Sequence, residues 1–236
     1  MTITLLELRN QARQRADMED SEFVEDSELT SYINSSIAEL HDILIQAYSS
    51  DYYIESVTFN TVVNQADYDL PNGTNYSGAK QLYKLRGVDA KLNGQDFLTI
   101  RPFNFNERNR YEQSGVWNVY GLPTIRYRMV GNKLKFTPYP DQATEVKLWY
   151  IPVATKLIND SDTLDDLNQY SEYVVVDAAI KMRIKEETDV SELMAQKKAL
   201  VDRITYAAQN RDVAQPESIS DIYAENDWRY FWSSDS

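Results

Sequence analysis

A chain with one histidine and no cysteine has few routes to covalent or metal chemistry, and this sequence of 236 residues offers only His41. The missing thiols remove disulfides, cysteine nucleophiles, thiolate zinc sites and iron–sulfur clusters together. A zinc site built on two histidines of one chain is excluded as well. His41 follows Leu40 inside a helical pattern, and no Gly-x-Ser-x-Gly elbow accompanies it, so it reads as a boundary or surface histidine outside any catalytic triad. Asp165-Asp166 could serve glycoside hydrolysis, which needs two acids across a cleft. The favoured reading is that Asp162 caps a helix and the two acids sit at its positive end. Asp160-Ser161-Asp162 opens like a calcium loop, but Leu164 falls on a ligand position and the required glycine is missing. No Gly-Lys-Ser/Thr phosphate loop is present. The sequence therefore predicts no catalytic residue, no metal, no cofactor and no enzyme.

Two stretches carry recognition chemistry instead. Arg101, Phe103, Phe105, Arg108, Arg110 and Tyr111 interleave cations with aromatics, as single-strand binders do. The chain, however, has 24 Lys+Arg against 37 Asp+Glu, a net charge of −13, which repels nucleic acid at long range. An interface or solvated loop is the better expectation, and Trp117 belongs to the same long Gln95–Leu122 connection. The second stretch is the terminus, Ile219–Ser236. There Ile222, Tyr223, Trp228, Tyr230, Phe231 and Trp232 stand among acids, resembling the anchors of a recognition peptide. The alternative is that Trp228 and Trp232 fold back on their own core. On strand-like runs, Trp117, Trp149 and Tyr127 could stack sugars, though half-buried core positions explain them better.

The elements that position these residues follow from periodicity and charge. Residues 1–50 carry 3 basic and 10 acidic side chains, residues 52–155 carry 12 and 9, residues 156–211 carry 8 and 11, and residues 212–236 carry 1 and 6. Acidic flanks thus enclose a near-neutral middle. Leu5, Leu8, Ala12 and Ala16 predict one helix; Leu29, Ile33, Ile37, Leu40 and Leu44 predict a second, with Asp26 or Ser27 as N-cap. Val174, Val175, Ala178, Ala179 and Met182 predict a third. A fourth, opened by Asp189 and Glu192, is striped by Leu193, Leu200, Ile204 and Ala207. Between them, alternating β-branched and aromatic runs with turns at Asn72-Gly73, Asn93-Gly94 and Gly131-Asn132 predict five to seven short strands. The expected fold is α+β: a helical bundle of residues 1–50 with 156–211, an inserted β-barrel or sandwich at 51–155, and an extended tail at 212–236. No run is long and apolar enough to span a membrane, and the lack of cysteine suits assembly in a reducing cytoplasm.

Ordered motifs along nearly the whole chain resemble the head–tail connector adaptors of tailed bacteriophages, akin to the neck-ring, tail-tubular proteins of short-tailed phages. They are Leu5-x-x-Leu8-Arg9, Asp26-Ser27-Glu28-Leu29 into Tyr32-Ile33-Asn34, Glu39-Leu40, and Tyr68-Asp69-Leu70-Pro71. Gly121-Leu122-Pro123, Tyr127, Gly131, Pro138-x-Pro140-Asp141 and Leu148-Trp149-Tyr150 continue the series. The Tyr173–Ala179 helix, Arg211-Asp212 and Asp221-Ile222 close it. The resemblance implies a structural virion protein at the neck, forming a homo-oligomeric ring of about twelve copies. Such a ring docks beneath the portal protein, links to the tail or nozzle protein, and lets double-stranded DNA pass without specific binding. The aromatic terminus is then the candidate portal contact. A carbohydrate-binding component of the virion tail is the alternative.

Overall fold

A computed structural model describes residues 2–19, 23–47, 53–91, 96–108, 118–119, 122–123, 125–164 and 168–209. The class is α+β, with four helices and a curled seven-stranded sheet among the described residues.

Helix α1 (Leu5–Ala16) opens on a capping box: the Glu7 amide donates to Thr4 Oγ1 at 3.3 Å and the Thr4 amide donates to the Glu7 carboxylate at 2.8 Å. Its stripe of Leu5, Leu8, Ala12 and Ala16 is buried throughout, as is that of α2 (Asp26–Ala47) from Leu29 to Leu44. Asp26 does more than begin α2. Its carboxylate reaches back to Arg9 at 3.1 Å and Arg13 at 2.9 Å, tying the first helix to the second. Helix α3 (Ser171–Lys185) is buried without a break from Tyr173 to Ile180, because it packs against α1, α2 and α4 (Ser191–Gln209). One apolar cluster serves all four helices.

The fourth helix departs from the expected phase. Ala207 is exposed and Ala208 is fully buried, so the inward stripe runs Leu193, Lys197, Leu200, Ile204, Ala208. A lysine occupies one inward step because its counter-ion lies inside. Asp177 on α3 is only 2% exposed; its carboxylate accepts from Lys197 at 2.6 Å, Lys181 at 2.7 Å and Ser36 of α2 at 2.6 Å. Glu39 of α2 accepts from both lysines, at 3.2 and 3.1 Å, and from the Tyr173 hydroxyl at 3.2 Å. Burial pushes the Asp177 carboxyl up, but hydrogen bonds from Lys181, Lys197 and Ser36 outweigh it and hold the group below its usual range. Lys197 is held above its usual range by Asp177 and Glu39 despite burial.

The strands are β1 (Glu55–Asn60), β2 (Asp67–Asp69), β3 (Leu82–Ala90), β4 (Leu98–Pro102), β5 (Asn118–Val119), β6 (Leu122–Pro123), β7 (Arg126–Val130), β8 (Lys133–Thr137) and β9 (Glu145–Pro152). Strands β5 and β6 pair only with each other; the rest form one sheet in the order β1-β9-β3-β4-β7-β8-β2. All its neighbours are antiparallel except β4 and β7. The expected hairpin at Gly131-Asn132 is present, with Gly131 at φ +58°, the left-handed value a type II′ turn needs at its first central residue. Where a small barrel or sandwich was expected, the described strands form a curled sheet, a half-barrel. Edge strands β1 and β2 are not neighbours in the sheet, but the curl brings Phe59 of one to 5.3 Å from Tyr68 of the other, between ring centroids. Val88, Ile100, Leu134, Phe136, Val146 and Leu148 fill the concave side.

Removing one partner of a buried ion pair strands the others. Asp177→Asn should lower stability near pH 7 by about 3 kcal/mol, a fall in melting temperature of roughly 6–12 °C for a chain of this size. Because the native carboxyl titrates below its unfolded value of 3.8, its contribution is complete above that value and is lost as pH falls through the native one. Melts of both proteins by circular dichroism should therefore differ fully above pH 3.8 and draw together only as pH falls below that value.

Candidate interaction surfaces

His41 is not a surface residue. It is 5% exposed, stacked on Tyr53 at 4.7 Å and meeting the edge of Tyr83 at 5.7 Å. It thus joins the last turns of α2 to the sheet. A cavity of about 190 Å³ lies beside it, walled by Ile37, Leu157 and Leu164, with the Lys80–Glu55 ion pair at 2.9 Å. Burial pushes the imidazole pKa down, against smaller opposing effects of Asp42 and a hydrogen bond to the Pro152 backbone. This histidine is a neutral packing element. Asp162 also differs from expectation. Its carboxylate faces backward and accepts the amides of Ile158 and Asn159, both at 2.8 Å, which lowers its pKa. The neighbouring Asp165-Asp166 lie outside the described residues, and those described contain no cluster of acids and histidine able to hold a metal.

The arginine–aromatic loop is partly assembled and partly dispersed. Phe103 turns inward, 5% exposed, while Phe105 remains 48% exposed, in a 3-10 turn at Phe105–Glu107. Arg108 lies over the Phe105 ring at 4.7 Å and donates to the Phe105 carbonyl at 3.2 Å. Arg101 projects from β4. Arg110 and Trp117 lie outside the described residues, as do Ile222, Tyr223, Trp228, Tyr230, Phe231 and Trp232 of the terminus. The structure adds two residues that the sequence reading missed. Arg128 of β7 reaches the same Phe105 ring at 5.7 Å and donates to the Phe103 carbonyl at 3.0 Å. Arg126 stands in register with Arg101 across the parallel β4–β7 pair. The signal was available: Arg126, Arg128, Lys133 and Lys135 occupy alternate positions of the predicted hairpin, so all four share its outer face.

Of the proposed sugar-stacking aromatics, the two that are described, Trp149 and Tyr127, are otherwise engaged. Trp149 donates its indole N–H to Asp89 at 2.6 Å, and Lys147 lies over its ring at 5.1 Å. Tyr127 packs half-buried against the sheet core, and burial raises its hydroxyl pKa. What remains on the outer sheet is a cationic surface set with Phe105, on a chain that is otherwise strongly acidic. A family model described as SU10 adaptor protein matches residues 3–220.

The chain belongs to the SU10 adaptor protein family. The match runs through the helices and the sheet alike, and the family is one of structural phage adaptors. As an SU10 adaptor family member, the protein is a virion component that interacts with other head and tail proteins of its phage. No curated protein matches it. No described helix is long and apolar enough to cross a membrane.

The His41 shift has a definite sign. A histidine whose native pKa lies below its unfolded value of 6.5 stays neutral in the fold while the unfolded chain takes up a proton, so stability falls as pH drops below that value. His41→Phe, which keeps a ring on Tyr53, should reduce this loss. Urea unfolding near pH 7.5 and near pH 5.5 checks it, with the mutant showing the smaller difference between the two.

Proposed function

We propose that this adaptor works as a homo-oligomeric ring of about twelve copies that docks beneath the portal, extends the DNA channel and links it to the tail or nozzle protein. The observation that carries the reading is the family match over residues 3–220. Charge is in keeping with it. A net charge of −13 repels DNA phosphates, so the genome can pass without being held. The helices, residues 1–50 with 156–211, act as the ring-building unit, and the sheet, residues 51–155, holds inter-subunit or tail contacts through Arg101, Phe105 and Arg108. Ile222 and the aromatic residues Tyr223, Trp228, Tyr230, Phe231 and Trp232 are the proposed portal contact, each weak alone and multiplied by the ring's valency.

Negative-stain electron microscopy of the chain mixed with the portal of its own phage tests the reading. The expected result is a ring of added density at one end of the portal; its absence well above micromolar concentration overturns portal docking. Truncation after Arg211 should leave the melting temperature unchanged and abolish attachment. Attachment with undiminished affinity would remove residues 212–236 from the portal contact.

A further inference from the structure

The outer face of the sheet gathers several cations in one place. Arg101 and Arg126 are register partners on adjacent parallel strands, so their charges stand side by side. Arg108 and Arg128 converge on the same Phe105 ring. The ion pairs Lys80–Glu55, Lys91–Glu145 and Lys133–Asp69 lie on or beside the sheet; none involves Arg101, Arg108 or Arg128. Such a cluster is stabilised by an anionic surface laid over it.

An anionic surface exists on the same chain, remote from the sheet. The α1–α2 and α3–α4 connections lie at one end of the helices, held together by Arg183, whose Nε donates to the Ala16 carbonyl at 3.2 Å, and by Lys185, whose Nζ donates to the Phe23 carbonyl at 3.0 Å. Asp17, Glu19, Glu25, Glu186, Glu187 and Asp189 are all exposed there. Along α2 (Asp26–Ala47) about 22 Å of helix separates the acidic start at Asp26 from His41, which meets Tyr83 of the sheet. The two surfaces cannot easily meet within one molecule. A closed ring, in contrast, requires that one surface of each copy meet a different surface of the next.

We propose that the Arg101–Arg108–Arg128 face of one copy receives the acidic helical end, Glu186 and Glu187 foremost, of its neighbour. The inference rests on the ring reading above and adds the pair of surfaces that closes the ring. DNA is the weaker occupant, because the chain as a whole repels a polyanion and a cationic face turned to the channel would retain the genome.

Charge reversal tests it on the full-length chain. The variants are Arg101→Glu with Arg108→Glu, Glu186→Lys with Glu187→Lys, and the four changes combined; all four positions are exposed. Ring yield on the portal is counted in micrographs at low and high salt, with circular dichroism confirming each fold. Each pair alone should lower ring yield about tenfold or more, while the combination, whose interfaces are again of opposite sign, restores it. Wild-type rings that also form with either single pair overturn the inference and leave the ring reading standing. Folded quadruple variants that stay unassembled overturn this pairing of surfaces. A wild-type protein that forms no ring on the portal overturns the ring reading and the inference with it. Binding of a short DNA duplex by the wild type, lost on Arg101→Glu with Arg108→Glu, would reassign the face to phosphate.

Discussion

A carboxylate enclosed in the most deeply buried helix imposes its demands on everything packed around it. Asp177 needs several donors, since an ionised group taken out of water without partners costs several kcal/mol. It obtains one from its own helix (Lys181), one from α4 (Lys197) and one from α2 (Ser36). Glu39 balances the second lysine charge, leaving two anions and two cations in the cluster. The ion cluster fixes the setting of α4, because any other one withdraws Lys197 from Asp177. Three helices are thereby held in one register, and the seam between α2 and the sheet, packed around His41, inherits that register.

This explains where sequence reading succeeded and where it stopped. Helices α1, α2 and α3 were legible because their inward positions are apolar residues at the helical spacing. In α4 the inward step at 197 is a lysine, so a search for apolar stripes skipped it and settled on Ala207, one residue short of Ala208. The capping box of Thr4 and Glu7 was readable from residue types, yet its meaning depends on where α1 begins. His41 was misjudged for a different reason. Its burial comes from Tyr53, just before β1, and Tyr83 of β3, and no local pattern on α2 reveals a long-range aromatic contact.

The sheet shows the same division between local and distant information. The β7–β8 hairpin was readable, since its turn and alternation lie within a dozen residues. The parallel pairing of β4 with β7 was not, because it depends on the path of the chain between them. That pairing is also what brings Arg101 beside Arg126 and makes a cationic surface from residues that are separated in sequence. The half-barrel followed from the same cause: hairpin signals give strand number and neighbours within a turn, but the meeting of Phe59 with Tyr68 across the concavity is a property of the completed curl.

The position of α3 has a further consequence for how the protein is made. Helix α1 ends at Ala16 and its principal support begins at Ser171. At a synthesis rate of about 5–20 residues per second, the ribosome needs roughly 10–30 s to deliver that support. During this interval Leu5, Leu8 and the stripe of α2 are out of the ribosome with no completed core to enter, while the sheet between them is already able to form. The nascent chain therefore passes through a stage with a folded middle and an adhesive beginning, and chaperone occupancy should be greatest then, ending as α3 emerges and the first and last parts of the polypeptide close on one another.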